Sequence, residues 1–147
     1  MKTRLLFLCT GNSCRSQMAE GWARYLWPDL FETFSAGIVA HGLNPHAITV
    51  MAEKGIDISG HRSKTLAELS SREFDVVITV CGHADEACPI FPAKTRKIHQ
   101  GFDDPPRLAS TAKNPEEALE HFRRVRDKIA EYIKTLPTIL HISGELP

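Results

Sequence analysis

The segment TRLLFLCTGNSCRSQMAEGWARYLW, residues 3–27, decides the fold of this 147-residue chain. Its first part, Thr3–Leu8, predicts a short buried strand, because an unbroken apolar run is typical of the centre of a parallel sheet. From Ser16 to Trp27 the apolar residues recur at helical spacing, and Pro28 ends the pattern. Residues 9–16 join the two elements. The segment therefore predicts a strand, a loop and a helix in direct succession.

Strands and helices continue to alternate outward from this segment. The further predicted strands are Phe31–Ser35, Phe74–Val80 and, as a weaker edge strand, Lys94–His99. The further predicted helices run from Asn44 and Pro45 to Gly55, over Thr65–Ser70, and from Asn114 and Pro115 through Ile133, with a tail after Pro137. This alternation predicts an open α/β sandwich, in which ligands bind at the carboxyl ends of the strands. Cys9 and Cys81 both follow a predicted strand and so fall on the same rim.

The composition excludes several classes of protein. The chain is 42% hydrophobic and 24% charged, with 18 basic and 18 acidic residues, so neither a nucleic-acid partner nor a membrane surface is indicated. The apolar run Leu5–Leu8 is too short to span a bilayer and lacks a small-residue cleavage site, so we expect no signal peptide and a cytoplasmic location. Without a visible repeat or linker, we expect one domain over residues 1–147.

The spacing of the four cysteines does not match that of a zinc site. Cys9 and Cys14 are separated by four residues, and Cys81 and Cys88 by six, whereas zinc ribbons use pairs separated by two. Structural disulfides suit small secreted scaffolds better than a reducing cytosol. We therefore expect no metal, and cysteines that are either catalytic or inert.

The loop from Cys9 to Ser16 carries the sharpest chemical signal. A loop of this length between a strand and a helix can point its backbone N–H groups at a tetrahedral oxyanion, and the candidate oxyanion-binding residues are Thr10, Gly11, Asn12, Ser13, Cys14, Arg15 and Ser16. Gly11 is expected to adopt a backbone angle that side chains resist, and Asn12 tolerates left-handed geometry. The guanidinium of Arg15 can donate two parallel bonds to two oxygens.

The same donors would stabilise a thiolate on Cys9, to which Ser16 could add a hydrogen bond, and so make it a nucleophile. A cysteine five residues before an arginine also arises by chance, and the alternative is a buried structural cysteine beside an ordinary turn. The position directly after a strand favours a cysteine that acts on a phosphate-like oxyanion.

The residues 9–22, CTGNSCRSQMAEGW, resemble the active-site segment of thioredoxin-coupled arsenate reductases, which share the fold of low-molecular-weight protein tyrosine phosphatases. Further matching segments are Ser35–Ile38, His41–Pro45, Gly55–Ser59, Gly101–Pro105 and Arg124–Asp127. The resemblance spans about residues 3–134. It implies a three-layer α/β sandwich with a four-stranded parallel sheet flanked by helices.

The resemblance also implies a redox relay through Cys81 and Cys88. Reduction of arsenate needs two electrons, which phosphate ester hydrolysis does not, so a reductase needs extra thiols at the rim. Cys9 would attack arsenate, Cys81 would expel arsenite and form a Cys9–Cys81 disulfide, and Cys88 would move the disulfide to Cys81–Cys88. The implied partners are arsenate, with phosphate or sulfate as mimics, and thioredoxin as reductant, acting on a monomer that needs no cofactor.

Two alternatives remain open for these thiols. Cys81 and Cys88 could be small buried hydrophobic residues, as free cysteines commonly are. In that case the chain would be a phosphatase that uses the same loop through a phospho-cysteine intermediate.

If residues 81–88 were helical, the Cα atoms of Cys81 and Cys88 would lie about 10 Å apart. A disulfide tolerates about 7 Å, so the relay predicts that this segment loops out.

Asp103-Asp104-Pro105-Pro106 reads first as a turn. The family's Asp-Pro pattern makes Asp104 the general acid for the departing oxygen, with a lesser claim for Asp103. Cys14 is interpreted as structural.

Some relatives bind potassium through groups that match Asn12, Glu20 and Ser35 together with an aspartate. This chain has Lys64 at the position of that aspartate. We predict no potassium site, because the ammonium of Lys64 near Glu20 would supply the positive charge and repel a cation.

Overall fold

A computed structural model describes residues 2–71 and 73–142 of the chain. Strands and helices alternate from one end of the described chain to the other. In order they are β1 (Thr3–Cys9), α1 (Arg15–Leu26), β2 (Phe31–Gly37), α2 (Pro45–Ala52), β3 (Val76–Thr79), α3 (Gly82–Glu86), β4 (Arg96–His99), α4 (Pro105–Ala109) and α5 (Pro115–Ile139), with a single 3-10 turn at Leu66–Glu68 before β3.

The four strands form one parallel sheet in the order β2-β1-β3-β4. Strand β1 lies inside the sheet, and its residues Leu5–Leu8 are completely buried, which fits the unbroken apolar run. Strand β4 lies at the edge and is largely exposed, as its weaker pattern predicted. The predicted α/β architecture with a four-stranded parallel sheet flanked by helices is confirmed. Because all strands run the same way, Cys9 and Thr79 end β1 and β3 at the same edge of the sheet.

Helix α5 packs against α1, α2 and α4. The buried Arg126 fixes α5 to the end of α2, because its guanidinium donates to the carbonyl of Val50 at 2.9 Å and to the carboxylate of Glu53 at 2.8 Å. No helix among the described residues is long and apolar enough to cross a membrane.

Four predicted elements differ from the structure. Strand β3 is confined to Val76–Thr79, and β4 begins only at Arg96. The predicted helix over Thr65–Ser70 is a single 3-10 turn whose ends are held by a reciprocal bond pair between Thr65 and Glu68. The predicted turn at Asp103–Pro106 begins a helix, α4, because Pro105 occupies its first position, where a missing N–H costs nothing.

Helix α5 does not stop before Pro137, contrary to the prediction of a tail after that proline. A proline inside a helix leaves the carbonyl four residues earlier without its N–H donor, here the carbonyl of Ile133. The indole N–H of Trp27, which follows α1, donates to that carbonyl at 2.8 Å. A tertiary contact therefore replaces the missing bond and lets the helix continue to Ile139.

Candidate active site

The loop between β1 and α1 lies at the carboxyl edge of the sheet and begins with the buried Cys9. Within the described part of the chain, no backbone N–H of residues 10–16 donates a hydrogen bond to another protein group. Buried N–H groups are normally paired. A run of free amides at a helix start is instead the arrangement that binds a tetrahedral oxyanion.

Two residues shape this loop in different ways. Asn12 has a φ of 49°, which confirms the predicted left-handed conformation. The expectation for Gly11 is wrong, since its φ does not lie in the left-handed region. Space is limited there instead, because a Cβ atom would lie 2.5 Å from Nδ1 of the exposed His41, so a larger residue would require the imidazole ring to move. His41 is in turn anchored by its own backbone N–H, which donates to the carbonyl of Gly11 at 2.9 Å.

The amide of Asn12 has its orientation set by four hydrogen bonds. Its oxygen accepts from the backbone N–H of Lys64 at 2.9 Å and from Nε2 of Gln17 at 3.0 Å. Its Nδ2 donates to Oγ of Ser16 at 2.9 Å and to Oγ of Ser35 at 3.0 Å. Both hydrogens of Nδ2 are therefore used.

This orientation decides the direction of the bond to the nucleophile. Oγ of Ser16 lies 2.8 Å from Sγ of Cys9. Because Ser16 already accepts from Asn12, its own hydrogen is free to donate to the sulfur. At the other end, Ser35 donates to the carboxylate of Glu20 at 2.5 Å, which can only accept when ionised. The chain of bonds thus directs a hydroxyl donor at Sγ of Cys9.

The positive charge that pairs with Glu20 comes from Arg24, which corrects the expectation for Lys64. The guanidinium of Arg24 donates to Glu20 at 2.6 Å across one helical turn of α1. The ammonium of Lys64 donates instead to the carbonyl of Arg62 at 3.1 Å. Burial lowers the pKa of Lys64, and the nearby Glu20 opposes that shift. Lys64 therefore contributes charge near Glu20 without forming the pair.

We predict that Ser16→Ala slows alkylation of Cys9 by iodoacetamide at neutral pH by about tenfold or more, because a hydrogen bond to a charged acceptor contributes about 1.5–3 kcal/mol. Mass spectrometry of the Cys9 peptide measures the rate. The exposed Ser59, which bonds to Asp57, provides the control variant Ser59→Ala. An unchanged Cys9 rate in a folded Ser16→Ala protein would contradict the assigned direction.

Arg15 is held over the loop by the segment that follows β4. Its NH1 donates to the carbonyl of Phe102 at 3.0 Å, and its NH2 lies 3.7 Å from Oδ1 of Asp104. Asp104 is the residue before α4, so the helix start fixes its backbone while its carboxylate stays partly exposed. Asp103 lines a cleft of about 460 Å³ between this segment and α5. The contact with Arg15 distinguishes Asp104 from Asp103.

The second sulfur lies against the same loop. Cys81 follows β3, is buried, and has its Sγ 3.2 Å from Oγ1 of Thr10. Its sulfur also accepts from the backbone N–H of Ala84 at 3.4 Å, as the cap of α3. Cys88 lies beyond the end of α3, half-buried, with its thiol 3.5 Å from the carbonyl of Pro89. The four cysteines are free thiols.

Cys14 is buried directly before α1. Burial raises the pKa of its thiol strongly, and the nearby Cys9 adds to the effect. A thiol held in its neutral form is a poor nucleophile, which supports the structural interpretation of Cys14. Ser13 contributes its carbonyl, which accepts from the backbone N–H of Asn44 at 2.9 Å and ties the loop to the start of α2.

No group of three or more histidine, cysteine or acidic side chains in the described chain is arranged to hold a metal ion. The absence of a potassium site stays a prediction, testable by comparing activity in potassium and sodium at fixed ionic strength.

Sequence reasoning missed the partners that position the predicted residues. Arg24 pairs with Glu20, Phe102 holds Arg15 through its backbone, and His41 packs on Gly11. Only Arg24 left a signal in the sequence, since it lies four residues after Glu20 on a predicted helix. The other two act through backbone atoms or loop packing, which residue spacing does not reveal.

Comparison with known proteins identifies the family of this chain. A family model described as low molecular weight phosphotyrosine protein phosphatase matches residues 4–143. An arsenate reductase of Halalkalibacterium halodurans is 49% identical over 134 residues, which cover 91% of this chain and 94% of that relative.

Solved structures agree. An arsenate reductase in the phosphate binding state is 34% identical and superposes with a TM-score of 0.75, covering 97% of this chain and 100% of the other. An arsenate reductase in oxidized state is 32% identical with a TM-score of 0.77, covering 95% and 99%. These matches confirm the resemblance that residues 9–22 indicated. The chain belongs to the low molecular weight phosphotyrosine protein phosphatase family.

Proposed function

We propose that this protein reduces arsenate to arsenite. The observation that carries the proposal is the contact of Cys81 with Thr10 of the oxyanion loop at 3.2 Å, which puts a second free thiol beside the nucleophile Cys9. A phosphatase needs the loop alone, whereas a two-electron reduction needs a second sulfur within reach. The arsenate reductases to which the chain is similar support the choice of oxyanion.

The first step is nucleophilic attack on arsenic. The free amides of residues 10–16 and the guanidinium of Arg15 bind the arsenate oxygens, which brings the arsenic atom to Sγ of Cys9. The thiolate of Cys9, which Ser16 stabilises, forms a sulfur–arsenic bond. One oxygen leaves as water after Asp104 has donated a proton to it. The arsenic remains pentavalent at this stage.

The second step transfers the electron pair. The thiolate of Cys81 attacks Sγ of Cys9, a disulfide forms between the two, and the electrons of the sulfur–arsenic bond reduce the arsenic, which leaves as arsenite. The cap bond from the N–H of Ala84 holds Sγ of Cys81 beside the loop for this attack. Cys88 then attacks Cys81, and Cys9 leaves as a thiolate, ready for another arsenate.

The oxidised pair Cys81–Cys88 must be reduced from outside. We propose a thioredoxin as the donor, acting on a monomeric enzyme in the cytoplasm, where such donors keep thiols reduced. Cys88 is already half-buried rather than enclosed, and the residues after it, 89–90, reach the surface. A surface disulfide there would be accessible to an attacking thiol.

A weak phosphatase activity is the second candidate function. The same loop and Asp104 suffice to bind a phosphate monoester and to form a phospho-cysteine on Cys9, without any use of Cys81 or Cys88. Membership of the phosphatase family supports this activity.

The two candidates are separated by one coupled assay. Arsenate-dependent oxidation of NADPH is measured with thioredoxin and its reductase, for wild type and for Cys81→Ser. We expect turnover in wild type and none in Cys81→Ser, because no second sulfur can then take up the oxidation. Hydrolysis of a chromogenic phosphate by Cys81→Ser serves as the control for an intact loop. If Cys81→Ser reduces arsenate as fast as wild type, the proposed relay is wrong.

A further inference from the structure

Helix α3, which separates Cys81 from Cys88, is a marginal element by itself. It has five residues and starts at Gly82, whereas isolated helices shorter than about 12 residues are barely stable in water. Only the side chain of Ala84 is buried among its residues, and Gly82, His83 and Glu86 are exposed. Its helical state must therefore depend on contacts with the sheet.

One side chain of α3 is hydrogen-bonded to the sheet. Oδ1 of Asp85 lies 3.3 Å from Oγ1 of Thr79, the fully buried last residue of β3. The same hydroxyl lies 2.8 Å from Nδ1 of His99, the last residue of β4. Nδ1 of His99 is 4.0 Å from Asp85 itself. Three side chains from α3, β3 and β4 thus meet at one hydroxyl group.

The hydrogens in this group have one consistent arrangement that joins all three. A hydroxyl has one hydrogen, and an ionised carboxylate can only accept, so the bond to Asp85 uses the hydrogen of Thr79. The oxygen of Thr79 then accepts from His99, which must carry its hydrogen on Nδ1. The bonds run from His99 through Thr79 to Asp85. Loss of the hydroxyl would break both at once.

We propose that Asp85, Thr79 and His99 form a latch. This latch keeps α3 helical until the Cys9–Cys81 disulfide has formed. Its opening then sets the rate at which Cys88 reaches Cys81. The proposal rests on the relay proposed above. In the step that the latch controls, the thiolate of Cys88 attacks Sγ of Cys81, the bond from Cys81 to Cys9 breaks, and Cys9 leaves as a thiolate. The number of oxidised sulfurs is unchanged.

The geometry explains why a latch is needed. Cys81 caps α3 through the N–H of Ala84, so a formed helix holds this sulfur beside Thr10 for the attack on Cys9. The later exchange needs the opposite, because a disulfide tolerates a Cα separation of about 7 Å, whereas a fully helical run from Cys81 to Cys88 would separate the two Cα atoms by about 10 Å. Helix α3 covers Gly82–Glu86, which is most of that run. Asp85 lies inside the segment that has to unwind. The three residues are positioning residues, since none of them touches the reacting atoms.

Each variant removes or keeps one hydrogen-bonding group of the latch. Thr79→Val keeps the shape of the side chain and removes the hydroxyl. Asp85→Ala removes the acceptor, while alanine favours a helix, so that faster opening cannot come from lower helix propensity. Asp85→Asn keeps an oxygen acceptor and should resemble wild type. Glu86→Ala is the matched control, because Glu86 is exposed on the same helix and its side chain makes no hydrogen bond among the described residues.

The first measurement is hydrogen exchange of the reduced protein over residues 84–87, without arsenate. We expect Thr79→Val and Asp85→Ala to exchange about fivefold faster than Glu86→Ala, the ratio that the loss of one ordinary hydrogen bond produces. Equal exchange in the four variants would overturn the latch. Because this measurement needs no arsenate, it decides the latch even if the protein proves not to be a reductase.

The second measurement follows one turnover with arsenate by acid quenching, alkylation and peptide mapping. We expect the Cys9–Cys81 disulfide to convert to Cys81–Cys88 about fivefold faster in Thr79→Val than in Glu86→Ala, as for the loss of one hydrogen bond. Faster exchange of α3 with an unchanged rate of conversion would overturn the claim that the latch sets this rate. Absence of any disulfide in wild type would instead refute the proposed function.

Discussion

Arg15→Lys is expected to lower kcat/KM for arsenate by about a hundred- to a thousandfold, the usual cost of removing one donor from an oxyanion site. Arg15 has two tasks in the structure. One nitrogen donates to the carbonyl of Phe102 at 3.0 Å, and the other terminal nitrogen lies 3.7 Å from Oδ1 of Asp104. We propose that the same guanidinium binds the oxyanion. A lysine ammonium cannot hold Phe102 and bind two oxygens in parallel, because it lacks the planar fork.

The measurement is steady-state kinetics in the thioredoxin-coupled assay, with thermal unfolding to show that the variant is folded. Arg107→Lys is the control. It makes the same substitution away from the loop, because Arg107 is exposed on α4. A loss in kcat/KM of less than about tenfold would be smaller than the effect of removing a single oxyanion donor. It would mean that the loop amides alone bind the oxyanion.

The candidate site residues could be named from the sequence, because the proposed chemistry restricts their types and their order. A nucleophilic cysteine must end a strand, the oxyanion loop must follow it, and an arginine must stand where that loop joins the first helix. Cys9 and Arg15 satisfy these demands within one short segment. The buried strand β1 was predictable for a similar local reason, since the run Leu5–Leu8 has no other stable location than the middle of a sheet.

The failures came from contacts between distant segments. Pro137 reads locally as the end of α5, and only the indole of Trp27, 110 residues earlier, satisfies the carbonyl that the proline leaves free. Gly11 reads locally as a residue with unusual backbone angles, and only the ring of His41 shows that space is the constraint. In both cases the deciding partner is absent from the local pattern. For Pro137 the local rule therefore predicted the wrong end of the helix, and for Gly11 it predicted the wrong backbone angle.

The cation beside Glu20 was predicted wrongly because the sequence offered two candidates. Lys64 and Arg24 are both basic, and the sequence suggested Lys64 through the family's cation position. The structure pairs Glu20 with Arg24, because a residue one turn along the same helix is already in reach. The ammonium of Lys64 turns instead to the carbonyl of Arg62, two residues away. The chain of hydrogen bonds from Glu20 to Cys9 is the same with either cation.

Cys88→Ser is expected to release one equivalent of arsenite per protein molecule and then to stop. The first two steps involve Cys9 and Cys81, which lie at the oxyanion loop, whereas Cys88 lies beyond α3 and contacts Pro89. The first turnover should therefore proceed as in wild type. Without Cys88 the disulfide cannot leave Cys9, and NADPH oxidation with thioredoxin should fall to background.

Rapid quenching with arsenite detection and peptide mapping measures both halves of this prediction. The variant should accumulate a disulfide between Cys9 and Cys81, and Cys81→Ser provides the contrast, because it should release no arsenite even once. Continued turnover by Cys88→Ser would show that the external reductant attacks the Cys9–Cys81 disulfide directly. The buried position of both sulfurs argues against that route, since an attacking thiol must approach the sulfur along the bond it breaks. In the proposed relay, Cys88 would therefore move the oxidation from the enclosed loop to a disulfide that a partner protein can reach.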